Sequence, residues 1–148
     1  MPTQKAAQGV AQDASDRRLS MSEHDIATVI VATEKAALKQ WNSGNPTGYL
    51  SIYAGDITYL DPIHRINGFE KIKDLYEGIR GKLCIEKHEM VDPVVQVAGE
   101  VAVLSYILES HTGNKVLHWN CTEVYQQQTD TQWKIIHSHW SLCGSKTE

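Results

Sequence analysis

The spacing of hydrophobic positions changes once along the chain, from a helical period to a strand period. Between Ser22 and Trp41 the residues Ile26, Val29, Ile30, Thr33, Ala37, Leu38 and Trp41 recur every three or four positions, which predicts one long amphipathic helix. Ser22 with Asp25 resembles a capping box at its start, and Gly44 stands where a C-cap glycine belongs. Asn45-Pro46-Thr47-Gly48 breaks the pattern, and Tyr49, Leu50, Ile52 and Tyr53 suit a short second helix before Gly55. Asp56 to Leu60 reads as a strand ending at Asp61-Pro62. Asn67 as N-cap, with Glu70 three residues on, opens a third helix whose face carries Phe69, Ile72, Leu75, Tyr76 and Ile79 and which ends at Gly81. Everything after that reads as strand: 82–91, 94–98, 101–111, 116–127 and 132–143, divided by Asp92-Pro93, Gly99-Glu100, Thr112-Gly113-Asn114 and Thr129-Asp130. Helices first and an antiparallel meander afterwards predict an α+β domain over residues 21–148. Residues 1–20, with few aliphatics and mixed charge, predict a mobile tail.

Alternation fixes the faces of the last hairpin. With Thr129-Asp130 as a two-residue turn, Trp119 faces Trp140, Cys121 faces Ser138 and Glu123 faces Ile136 on the apolar side, together with Tyr125 and Leu142. The other side carries His118, Asn120, Thr122 and Val124 opposite Ser141, His139, His137 and Ile135.

Composition narrows the function classes. A chain of 148 residues buries roughly two thirds of its unfolded surface without staples. Its 41% hydrophobic and 22% charged residues are ordinary for a globular domain. Apolar runs such as 101–104 are too short to span a bilayer. A formal charge of −4 argues against nucleic acid as a partner. Cys84, Cys121 and Cys143 are odd in number and lack CxxC spacing, so free thiols are expected, and with no apolar signal core near the N-terminus the expected compartment is the cytoplasm. No phosphate loop, nucleophile triad or dinucleotide fingerprint is present, and no cofactor is expected.

Several blocks carry a resemblance. Ile57-Thr58-Tyr59-Leu60-Asp61-Pro62, Asp92-Pro93 followed by Gly99-Glu100, Ser105-Tyr106-Ile107, Thr122-Glu123-Val124-Tyr125 and the closing run from Trp133 to Ser141 resemble the association domain of calcium/calmodulin-dependent protein kinase II and its free-standing bacterial relatives, from about Glu23 to Gly144. The resemblance implies the cone-shaped nuclear transport factor 2-like, or cystatin-like, fold. It also implies homodimers or higher homo-oligomers that pack through the outer sheet face, and a pocket on the inner face closed by the long helix. Where the kinase domains line that pocket with arginines, this chain carries Leu108, Glu123 and Trp140, so the small-carboxylate site of those domains is not expected here.

Candidate chemistry gathers on the apolar face. Trp41, Tyr59, Tyr106, Trp119, Cys121, Ser138 and Trp140 would surround a small organic ligand, or else fill the core. Glu123, on that face, would have its pKa raised by desolvation and could serve as a general base, unless it reaches water or pairs with Lys134. Asp61 is either an acid at the pocket rim or an Asx cap for the turn from Pro62 to Arg65. Ketosteroid isomerases and polyketide cyclases of the same broad fold use such carboxylates without a cofactor, so a cofactor-free isomerase, cyclase or dehydratase stands beside the binding-module reading. Tyr59 or Tyr106 would then donate to the developing enolate oxygen. Cys121 faces no base and reads as a buried thiol. His118, His137 and His139 could hold a metal or could sit in a subunit interface, and the interface is the reading adopted, with no metal site expected.

Overall fold

Ser22 begins the first helix as its sequence implies. In the computed structural model, which describes residues 21–144, its Oγ accepts the Asp25 N–H at 3.0 Å and α1 runs Glu23–Asn42. The tail expected over residues 1–20 lies outside the described residues. At the other end of α1, Gly44 adopts a left-handed φ of +85°, and a Cβ there would stand 2.8 Å from the Leu83 carbonyl oxygen. That close approach lets the segment before the third strand lie against the end of α1, where the Gly81 N–H donates to Gly44 O and the Ile85 N–H to Asn42 O, both at 2.9 Å.

The second helix is shorter and earlier than its hydrophobic pattern suggests. Asn45 Oδ1 accepts the Thr47 N–H at 3.0 Å and starts α2, Thr47–Leu50, so Tyr53 belongs to β1, Tyr53–Leu60. A three-residue strand, β2 (Arg65–Asn67), pairs antiparallel with β1 and was not legible beforehand. Asn67 therefore ends a strand, and Gly68, at φ +97°, is the N-cap of α3, Phe69–Ile79.

The sheet continues with β3 (Lys87–Ala98), β4 (Val101–Thr112), β5 (Lys115–Gln127) and β6 (Trp133–Leu142), in the order β2-β1-β6-β5-β4-β3. All neighbours are antiparallel except β1 and β6. Asp92-Pro93 does not separate two strands. It forms a bulge within β3, with Asp92 at φ +50°, at the sheet edge where a proline costs no ladder bond.

The last hairpin departs from the predicted register by two residues. Its loop spans 128–132, closed by the Gln128 N–H donating to Gln132 O at 2.7 Å, with Thr131 at φ +70°. Trp119 consequently faces Leu142, Cys121 faces Trp140 and Glu123 faces Ser138. A shift of two preserves the faces, but Ile136 is an extra residue opposite the step from Val124 to Tyr125, and it reverses the alternation of β6. Ile135, expected outside, is fully buried with Trp133, while Ile136, expected on the inner face, is only half-buried.

The core lies between the helices and the inner sheet face. Ile26, Ile30 and Leu38 of α1 pack with Ile57, Ile72, Leu104 and Ile135, and each such side chain contributes roughly 1.5–3 kcal/mol. The buried stripe of α1 includes Glu34 and leaves Val29 38% exposed, so the helix is turned from the face its apolar residues alone suggest. No helix among the described residues is long and apolar enough to cross a membrane. Gly44→Ala is expected to lower unfolding stability by about 2 kcal/mol in urea titration, combining the left-handed strain with the contact at Leu83 O.

Candidate ligand cavity and the carboxyl cluster behind it

Helices and sheet do not meet everywhere, and a cavity of about 380 Å³ remains between them. Leu38 and Trp41 of α1, Tyr49 of α2 and Tyr76 of α3 form its helical wall. Tyr53 and Tyr59, Leu108, Trp119 and Trp140 face them from the sheet, and Leu83 and Ile85 close one side. The aromatic rings pack against one another: Trp41 lies 4.7 Å from Tyr76 at a tilt of 56°, and Tyr59 meets Tyr76 perpendicularly at 6.0 Å. The hydroxyls of Tyr53 and Tyr76 bond each other at 2.8 Å. Asp61 is the sole ionisable acid in the lining, and no lysine, arginine or histidine joins it there among the described residues.

Asp61 is an Asx cap and a rim acid at once. Its Oδ1 accepts the backbone N–H groups of Ile63 at 2.9 Å and His64 at 2.7 Å, and its Oδ2 accepts the Tyr59 hydroxyl at 3.0 Å. The His64 ring nitrogen Nδ1 lies 2.9 Å from Oδ2 and 3.0 Å from Oδ1. Partial burial pushes this carboxyl's pKa up, but the Ile63 N–H, the His64 ring and N–H and the Tyr59 hydroxyl outweigh it and hold the pKa below the usual carboxylate value.

Behind the cavity wall sits a second constellation that is fully buried. Glu34 accepts hydroxyl hydrogens from Tyr49 at 2.5 Å, Tyr125 at 2.6 Å and Tyr106 at 2.8 Å. Glu123 accepts from Ser138 Oγ and, at 3.5 Å, from the Cys121 thiol, while Trp140 Nε1 donates to Ser138 Oγ at 3.0 Å. Burial raises the pKa of both carboxyls. The three tyrosines partly counter it at Glu34, whereas at Glu123 the neighbouring Glu34 charge adds to it, and Glu123 is raised well above the ordinary value. The two carboxyls lie close enough for the charge of one to bear on the other, and Glu123 Oε2 is buried with no hydrogen-bond partner among the described residues. Glu123 is accordingly the protonated member and Glu34 the one suited to charge. One ligand atom each from Glu34, Cys121 and Glu123 falls within 4.8 Å of the others, but the Glu34 oxygens and Glu123 Oε1 already accept from protein donors.

The seven expected pocket residues therefore divide. Trp41, Tyr59, Trp119 and Trp140 line the cavity; Tyr106, Cys121 and Ser138 stand behind it with Glu123. Tyr49 and Trp140 belong to both groups and connect them. The histidines do not converge: His137 Nδ1 bonds Thr58 Oγ1 at 2.6 Å, and His118 Nε2 approaches Glu109 at 3.4 Å. His118 is also four residues along β5 from Thr122, the partner of His139, or about 13 Å at strand rise. Tyr125 was placed on the inner face from sequence, but Glu34, Tyr49 and His64 were not singled out, although Glu34 sits four residues after Ile30 and four before Leu38, on the buried stripe itself.

Sequence comparison matches residues 22–144 to the calcium/calmodulin dependent protein kinase II association domain. The chain belongs to that family. A Parabacteroides distasonis structure, named provisionally as a ketosteroid isomerase, shares 40% identity with this association-domain chain over 77% of it and 85% of the other, with a TM-score of 0.70. A nuclear transport factor 2-like protein of unknown function from Pseudomonas putida has 22% identity and a TM-score of 0.71, covering 82% and 89% of the two chains. The kinase hub of S. rosetta has 20% identity and a TM-score of 0.63, covering 78% and 95%. These last two establish the fold. No curated protein sequence matches the chain.

A raised carboxyl pKa means that the folded protein keeps a proton the unfolded chain has released. The stability that Glu123 confers is complete below the ordinary carboxyl range and falls as pH rises towards its folded pKa, at up to about 1.4 kcal/mol per pH unit for one proton. Glu123→Gln, which cannot ionise, is expected to flatten that decline, so that chemical denaturation at pH 5 and pH 8 gives more nearly equal stabilities than in the wild type.

Proposed function

We propose that this association-domain protein is a self-associating module whose cavity binds a small, neutral, largely planar organic molecule. The observation that carries the reading is the cavity itself. Its volume lies in the range of small-molecule sites, roughly 300–1,000 Å³, and its walls are aromatic and aliphatic, with a few polar groups such as Asp61, Tyr59 and Ser110 among them. Leu108 and Trp140 stand in the lining at two of the positions that resemble the kinase arginines, so nothing there favours an anion. The Asp61 carboxylate at the lining also disfavours an anion there.

Self-association rests on family membership and on the outer sheet face, where His118 and His139 are exposed and Ile107 is 36% and Val94 54% exposed. A homodimer burying at least about 1,000 Å² in total would cover that face. Three free cysteines, one of them exposed, support a reducing cytoplasmic setting.

The isomerase reading draws support from the 40%-identical relative's name. The carboxylates first considered as its base are poorly disposed. Asp61 has both oxygens engaged and its pKa lowered, and Glu123 is absent from the cavity lining and sits behind Ser138 and Trp140.

Titration with 2-naphthol, a planar neutral donor, is expected to quench tryptophan fluorescence with saturation. Leu83→Trp, which fills the cavity from a connecting segment and leaves the outer sheet face unaltered, should weaken that binding at least tenfold while leaving the sedimentation coefficient of the oligomer unchanged. Unaltered binding in that variant, or a monomer at micromolar concentration, would count against the cavity and the assembly respectively.

A further inference from the structure

We propose that His64, held by Asp61, is a general base at the mouth of the cavity, acting on a neutral aromatic carbon acid whose body fills the aromatic chamber. The inference rests on the cavity reading and adds an activity to it. Asp61 lines the cavity and its side chain is 15% exposed, while the His64 side chain, one hydrogen bond further out, is 35% exposed. An ionised carboxylate can only accept, so the His64 nitrogen at 2.9 Å from Oδ2 is an N–H, and in the neutral ring the lone pair is on Nε2. Nε2 has no hydrogen-bond partner among the described residues. The dyad is rigid as well as correctly tautomerised, because the His64 backbone N–H binds the same carboxylate at 2.7 Å and its carbonyl accepts the Asp61 N–H at 3.0 Å. Pro62 fixes one φ between them.

This arrangement gives Asp61 the role its bonding suits. Saturated with donors, it orients the imidazole and stabilises the imidazolium, and His64 takes the proton. When Nε2 removes an activated C–H proton, the C–H electron pair passes into the ligand's electron sink and the imidazolium pairs with Asp61 through Nδ1–H. Return of the proton to ligand or water restores the base, with no oxidant, reductant or second substrate needed. Tyr59 holds Asp61 Oδ2, and Tyr76 packs against Tyr59, so the dyad is braced from the cavity interior.

The probe reaction is elimination from 5-nitrobenzisoxazole. Proton loss at its C–H drives the electron pair into a nitrile as the N–O bond breaks, releasing a coloured phenolate. Wild-type protein is expected to turn it over at least about 100-fold faster than His64→Gln. Imidazole added to His64→Ala should restore part of the rate, which a merely structural histidine would not show. Asp61→Asn, acting on position and tautomer, should lower kcat about tenfold, a larger change than any in KM. Displacement of 2-naphthol by the probe is measured alongside. Displacement with equal turnover in wild type and His64→Gln, or with none in either, overturns the base and leaves the cavity reading standing. Absence of displacement overturns the cavity reading and this proposal together.

Discussion

A single buried carboxylate, Glu34, ties the long helix to the rest of the molecule. Its oxygens collect hydroxyl groups from α2, β4 and β5, so one side chain fixes the helix against three other elements. Apolar contact alone would allow α1 to slide or rotate at small cost, whereas three charge-assisted bonds, each worth about 1.5–3 kcal/mol, are lost together if it does. Burying the charge is expensive, and the proton held at Glu123 limits that cost by keeping the pair from carrying two charges. The cavity inherits its shape from this polar core. Tyr49 presents its ring to the cavity because its hydroxyl is held at Glu34, and the Trp140 indole is held through Ser138, which is itself held by Glu123.

The same logic separates two acids that look alike in sequence. Glu123 lies in an apolar surround and keeps its proton; Asp61 sits in a turn full of donors and loses its own readily. Neither is free to take a proton from a ligand, the first because it already has one and no cavity surface, the second because its lone pairs are occupied. The imidazole that Asp61 holds is the neighbouring group whose second nitrogen is left without a partner among the described residues.

Much of the fold was legible because it rests on local chemistry. Ser22, Gly44 and the period of α1 mark a helix wherever they occur, and the order of helices then strands defines the class. What escaped notice depended on distant partners. β2 is three residues long and has meaning only beside β1. Asp92-Pro93 looks like a strand end, and only the continuing pairing with β4 shows it to be a bulge. In the last hairpin a five-residue loop takes the place of a two-residue turn, and that difference brings Ser138 opposite Glu123. Glu34 was overlooked because an acid on an apolar stripe counts against burial until three tyrosines from other elements are known to meet it. His64 is invisible without the turn geometry that places its ring on Asp61.

The extra residue in β6 connects register to cavity. Tyr53 pairs with Ile135 on one side of the irregularity and Thr58 with His137 on the other, so the disturbance is shared by β1, β6 and β5 at one level of the sheet. Below that level Trp133 and Ile135 turn inward and pack closely with Tyr125; beyond it Ser138 and Trp140 turn inward instead. A bulge bends its strand and increases local twist, and the cavity-lining residues of β5 and β6, Trp119, Trp140 and Leu142, all lie beyond it. Without the insertion, continuous alternation would put Ile136 in place of Ile135 on the inner face beside Ser138, and the sheet would have less reason to open. The single residue Ile136 thus marks the boundary between the part of the domain that is packed solid and the part that encloses space.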